Sequence, residues 1–154
     1  MLHQSPFPAV ANDLFQTIEA ALPKLRAISE QNAERSRAAG KWSSKQIIGH
    51  LIDSAANNHH RFVRAQQGLG LAFPPYAQDH WVSSQHYQDR SWDDLVTLWH
   101  AYNLHLSHVI GRIPEDRRHV PCTIETDTPV TLEFLASDYV VHLRHHLGQV
   151  GARP

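Results

Sequence analysis

Along four stretches of the chain, apolar residues recur at steps of three and four, the spacing that gathers them on one face of a helix. The first stretch runs from about Pro8 to Ile28, and its face is Val10, Leu14, Ile18, Leu22 and Leu25. Pro23 lies inside this pattern and predicts a kink or a restart. The polar stretch from Gln31 to Gly40 reads as a loop. The second helix opens on Ser43 as N-cap with Gln46 three residues on, a capping box, and Trp42 is placed to pack on Ile47 as a hydrophobic staple. Its stripe is Ile47, Leu51, Ala55, Phe62 and Ala65, ending near Gln67 before Gly68 and Gly70. The third begins at Ser91, with Asp93 and Asp94 at the positive end of its dipole. It carries Leu95, Leu98, Trp99, Tyr102, Leu106, Val109 and Ile113, and Pro114 closes it. The fourth takes Thr131 as its cap, with Val130 and Leu135 as a second staple and Leu132, Leu135, Tyr139, Leu143, Leu147 and Val150 as its stripe. No segment reads as a strand, and Ile124 to Val130 reads as locally extended and nothing more.

Four helices of this length predict an all-α four-helix bundle, a single domain over residues 1–154. The connection from Gly68 to Ser91 is long for so small a domain and carries Pro74, Pro75, Tyr76, Trp81 and Tyr87. A crossover running the length of the bundle accounts for it and makes the second and third helices parallel. The expected order is up-down-down-up, and it brings the start of the second helix to the end where the fourth finishes.

Composition removes several alternatives. Lys plus Arg number 14 against 15 acidic residues, so no basic excess exists to neutralise phosphates and nucleic-acid binding is not expected. No apolar run approaches the roughly 20 residues of a membrane span. Met1 to Asn12 has neither a charged nor an apolar region of the kind a secretion signal needs, and Cys122 is the sole cysteine, so a reducing, cytoplasmic setting is expected. Near-neutral charge and the aromatic residues of the third helix and crossover suggest an apolar surface that a homodimer would bury.

The 13 histidines are what stands out. His142 and His146 lie four residues apart on the fourth helix, so both leave one face a turn apart, the spacing by which a helix offers two imidazoles to one metal ion. Position 143 is Leu, not the glutamate of an HExxH peptidase helix. His50, in the second turn of its helix, is brought to the same end by the expected topology. It also heads a polar stripe of Asp53, Ser54, Asn57, Arg61 and Arg64, all within about 60° of it around the helix. Such a stripe beside an apolar one lines a pocket or forms a solvated edge. At 100° per residue, His145 falls at about −60° from His142 and His146 at about +40°, the latter toward the buried stripe. His59 and His60 lie about 180° to 280° from His50, toward solvent or a partner.

Three blocks, Trp42-Ser-Ser-Lys-Gln-Ile-Ile-Gly-His50-Leu-Ile-Asp53-Ser, Tyr76-Ala-Gln-Asp-His-Trp81-Val and Asp138-Tyr-Val-Val-His142-Leu-Arg-His-His146-Leu-Gly-Gln149, resemble the DinB/YfiT-like superfamily of metal-dependent hydrolases. The resemblance covers nearly the whole chain. It implies a four-helix bundle, often dimeric, with a divalent metal such as zinc or nickel held by His50, His142 and His146. It also implies chemistry on a small molecule, either hydrolysis or transfer of a low-molecular-weight thiol such as bacillithiol or mycothiol.

Three imidazoles leave at least one coordination position open, as catalytic sites do. An ion there activates water or stabilises a thiolate, so one architecture serves both reactions. Asp53 and Gln149, each about a turn from a ligand, are candidates to orient ligands or move protons, and equally read as ordinary polar residues. The rival reading is a metal-binding protein with no chemistry of its own. Neutral imidazole is the ligating form, so metal affinity is expected to fall as pH drops from about 7 to 5. Cys122, in an expected loop without a base nearby, reads as a free structural thiol.

Overall fold

Three of the four long helices begin at a polar residue whose side chain accepts from a backbone N–H that no helical carbonyl can reach. Ser43 accepts from Gln46 N, and the Gln46 side chain accepts from Ser43 N at 2.9 Å, completing the capping box. Ser91 accepts from Asp94 N and Thr131 from Phe134 N, each at 3.1 Å. The computed structural model describes residues 5–68, 70–125 and 128–152. Its long helices are α1 (Phe7–Arg26), α3 (Ser44–Ala65), α5 (Trp92–Gly111) and α6 (Leu132–Gln149), with the short α2 (Glu30–Glu34) and α4 (Gln78–Ser84) in the connections.

Contacts fix how neighbouring helices run. Trp92 Nε1 donates to Leu25 O at 2.8 Å, His100 meets Glu19, and Ser107 Oγ donates to Ala11 O at 2.8 Å. Residue numbers rise on α5 as they fall on α1, so the two are antiparallel. The same holds for α3 and α6, where His50 faces His142 and His146 while Phe62 meets Tyr139 edge-on. Between them lie Leu14, Ile18, Leu51, Trp99, Leu143 and Leu147, all fully or almost fully buried. One polar chain crosses this core: Tyr139 Oη donates to Asn103 Oδ1 at 2.6 Å, and Asn103 Nδ2 donates to Trp99 O. The Tyr139 hydroxyl and the Asn103 amide thereby find the partners that buried polar groups require.

The structure departs from the sequence reading at several points. α1 is unbroken through Pro23; Ala27 N bonds to Pro23 O, and the helix ends three residues past the proline. The stretch read as a loop from Gln31 contains α2, capped by Ser29. Strands exist where none was expected: β1 (Leu71–Phe73), β2 (Pro121–Ile124) and β3 (Val130–Thr131). β1 pairs in parallel with β2, Leu71 opposite Cys122, and β3 pairs antiparallel to β2, Pro121 opposite Thr131. Of the segment read as extended, 126 and 127 lie outside the described residues. Cys122 is therefore a buried strand residue and not a loop residue, its thiol still free. The connection after α3 is built of β1, α4 and a tight helical turn at Tyr87–Asp89. Trp92, Trp99 and Tyr87, which counted toward an exposed dimer surface, are core residues. Among the described residues, no helix is long and apolar enough to cross a membrane.

Candidate metal centre

His50 comes from the second turn of α3 and is fully buried, while His142 and His146 come from the last half of α6 and are half-buried. Because α3 and α6 run antiparallel, the start of one lies against the end of the other. One ligand atom from each of the three histidines lies within 4.8 Å of the others. The Nε2 atoms of His50 and His142 are 3.4 Å apart, and those of His142 and His146 3.1 Å. Among the described residues this is the one group of three or more His, Cys, Asp or Glu side chains that converges in this way.

These distances fit an ion better than they fit hydrogen bonds. Zn–N bonds of about 2.0–2.1 Å at tetrahedral angles put ligand nitrogens roughly 3.3–3.4 Å apart. His146 Nδ1 lies 2.8 Å from Gln149 Oε1, an atom that only accepts, so Nδ1 carries the hydrogen and Nε2 presents a lone pair. His142 Nε2–H can satisfy that lone pair, but the same nitrogen cannot also satisfy His50. The other ring nitrogen of His50, Nδ1, is buried without a hydrogen-bond partner and takes no part in the cluster. Three lone pairs aimed at one point are under-satisfied by one another and well satisfied by a cation. An all-imidazole set with its fourth side open is also the donor pattern of catalytic zinc.

Electrostatics keep these rings neutral. Burial, and after it His146 and His142, push the His50 pKa down from 6.5 to about 3. Burial, then His146 and His145, push His142 down to about 4. Burial lowers His146 too, although the Gln149 hydrogen bond works against it. The expected window for metal loss therefore shifts from that read from free imidazole. In the folded chain, proton competition at His50 and His142 begins only near pH 5 and below. The unfolded chain, however, takes up those protons from about pH 6.5 downward. Since the unfolded state then binds more protons, stability falls with falling pH, beginning near 6.5 and continuing to about 3. Thermal melts of the metal-free protein from pH 7.5 to 4 should show this decline, and a flat profile would contradict the burial of neutral imidazoles.

The other expected site residues are placed differently from one another. Gln149 touches a candidate ligand directly, through His146. Asp53, 2% exposed, is bound through Oδ1 by Tyr87 Oη at 2.6 Å and Gln85 Nε2 at 2.7 Å, whereas Oδ2 is buried without a partner. Burial raises its carboxyl pKa against those two hydrogen bonds, which lower it. Gln85 carries no signal in the sequence, because only the path of the crossover brings it under α3. Tyr87, noted in the sequence only as one of the aromatic residues of the long connection, is a buried support for Asp53. His145 is exposed, with its ring 5.1 Å from that of His146. His59 is not free in solvent: its Nδ1 lies 2.9 Å from Tyr102 Oη.

Two cavities flank the histidines. One of about 270 Å³ reaches His142 between α3, α6 and the start of the crossover, with Ser54, Arg61, Tyr76 and Asp138 in its wall. The other, about 230 Å³, reaches His146 and Gln149 beside Trp42 and Lys41. Small molecules can thus approach the cluster from outside.

The chain belongs to the DinB superfamily, which it matches over residues 14–150. Among solved structures it is similar to YfiT from Bacillus subtilis, at a TM-score of 0.77 and 20% identity over 90% of this chain and 82% of that one. That protein is described as a probable metal-dependent hydrolase with an unusual four-helix bundle topology. The likeness places the two chains in one fold. No curated protein sequence matches this chain significantly.

Proposed function

We propose that this chain is a metal-dependent enzyme in which His50, His142 and His146 hold one divalent ion, zinc or nickel, and that its reaction is hydrolysis of a small molecule. The convergence of three Nε2 atoms on one point carries this reading, and the description of the similar YfiT agrees with it. The up-down-down-up order belongs to the same proposal. It is supported by Glu30, which reaches both Lys45 at the start of α3 and Trp92 N at the start of α5, and by His59 facing Tyr102 and His105 farther along.

A divalent ion in this position supplies Lewis acidity and makes a nucleophile's proton easier to lose. The chain's own residues do the rest. Gln149 holds His146 in the tautomer that leaves Nε2 free. Asp53 Oδ2, one turn from His50 and unpartnered, is the atom available to take a proton. Its raised pKa moves it toward the range where a carboxyl can both accept and return one. Tyr87 and Gln85 hold Oδ1 and so fix which oxygen is free.

Transfer of a low-molecular-weight thiol needs the same three ligands and the same open side, and the assay separates it. Protein purified without a nickel column is offered an ester, a phosphoester and a thiol–electrophile pair, with and without chelator. Chelator-sensitive turnover of the ester or phosphoester, reduced about 10²–10⁴-fold in Asp53→Asn at unchanged metal content, is the expected result. Turnover only with the thiol pair would move the chemistry to thiol transfer. A fully metallated chain without turnover in any class would make it a metal-binding protein and overturn the enzyme reading.

A further inference from the structure

The cavity beside His142 holds a feature that the metal reading does not use. Its wall includes Arg61, three turns beyond His50 on the same line of α3 and half-buried. About 16 Å of helix rise separate the two Cα atoms, and helical side chains lean toward the N-terminus, the direction of the histidines; Arg61 and His142 line the same cavity, and Arg61 also borders a second one toward β1. Tyr76 and Ser54 line the same cavity beside Arg61. Among the described residues, Arg61 has no hydrogen-bond or ion-pair partner. Asp138 also borders the cavity but is exposed at its rim, and among the described lining residues no other side chain carries a charge.

A half-buried guanidinium without an acceptor is costly unless something anionic completes it. The arginine fork fits the two oxygens of a carboxylate or phosphate in bidentate fashion. At about 270 Å³ the cavity lies just under the ~300–1,000 Å³ usual for ligand sites, so the occupant is small. Its neutral lining suits the remainder: Pro75, Ile124 and Leu135 are apolar, while Ser54 and Asn58 offer hydrogen bonds.

We infer that the substrate of this site carries a terminal carboxylate or phosphate that pairs with Arg61, while its reacting end lies at His142. The inference rests on the proposed metal site for the position of the reacting end, but the pairing with Arg61 does not need the metal. Arg61 is a specificity-determining residue in this account, and Tyr76 shares its cavity wall.

Isothermal titration tests the pairing with benzoate and phenylphosphonate as probes and benzyl alcohol as the neutral counterpart. The proteins are wild type, Arg61→Gln and Arg61→Lys, each metal-loaded and chelator-stripped, with metal content and melting temperature measured alongside. At least one anion should bind more tightly than benzyl alcohol in both forms of the wild type, and the tighter of the two identifies carboxylate or phosphate. Arg61→Gln should weaken that anion about tenfold to a hundredfold and leave benzyl alcohol unchanged. Arg61→Lys, which keeps the charge without the fork, should fall between, and it serves as the test if Arg61→Gln melts far below wild type. Anion affinity indifferent to Arg61, or no preference for anions, in a chain that binds metal normally would overturn this inference and leave the metal reading standing. Arg61-dependent anion binding in a chain that takes up no metal would do the reverse.

Discussion

Alanine at His142 is expected to abolish stoichiometric metal binding, and alanine at His50 or His146 to do the same, while His145→Ala keeps its metal at near full occupancy. His142 Nε2 lies within 3.4 Å of both other ligand atoms, so its removal leaves two imidazoles from different helices and opens half the coordination sphere. The affinity loss should exceed the 10–100-fold that follows removal of an outer partner alone. Gln149→Ala should fall in that smaller range, since it releases only His146 Nδ1. His145 is the internal control: it is as close in sequence, but it is exposed and lies outside the converging group. Elemental analysis of the five variants after exhaustive dialysis checks the set. Metal retained by His146→Ala and lost by His145→Ala would show that the wrong neighbour has been assigned.

The second large effect is expected one residue before the candidate ligand His50. Gly49 sits in the buried face of α3 directly against Tyr87, and a Cβ there would lie far inside contact distance of the ring atoms Cγ, Cδ2 and Cε2. Either Tyr87 leaves its place under α3, and with it the hydrogen bond to Asp53, or α3 moves and takes His50 along. Overpacking of a core ordinarily costs 1–3 kcal/mol, and a whole aromatic ring cannot turn aside here, so Gly49→Ala should cost about 3 kcal/mol. For a chain of this size that is a fall of roughly 6–12 °C in melting temperature. Tyr87→Leu in the same background should recover part of the loss, because it removes the obstructing ring. A double-mutant cycle measures that coupling, and additive effects would mean that Gly49 and Tyr87 are not in conflict.

What could be read from the sequence divides along physical lines. Helix starts were legible because a cap is a local device: Ser43 and Gln46, Ser91, and Thr131 act on backbone within three residues of themselves. The facing of α6 was legible for the same reason, since 100° per residue separates His145 from His146 without knowledge of any neighbour. The strands were not legible. β1, β2 and β3 have three, four and two residues, too few to show a period, and β1 finds its partner about fifty residues away at Cys122. The continuity of α1 through Pro23 was hidden too, because the local rule for an interior proline predicts a kink or a break whatever the helix packs against. The support of Asp53 was half hidden: Tyr87 could be noticed as an aromatic residue, but Gln85 is set against Asp53 only by the fold of the crossover. The polar stripe from His50 to Arg61 was visible as a stripe, but only the cavity between α3 and α6 shows that its far end faces the same space as His142.

An anomalous-difference map most directly tests the central claim that three histidines from two antiparallel helices hold one ion. Crystals of protein purified without a nickel column would be measured above and below the absorption edge of the metal found by fluorescence. A single peak per chain, about 2.0–2.1 Å from Nε2 of His50, His142 and His146 and with its remaining side open, is the result this account predicts. A peak elsewhere, such as at His59 and His105, or a metal coordinated without His50, would contradict it.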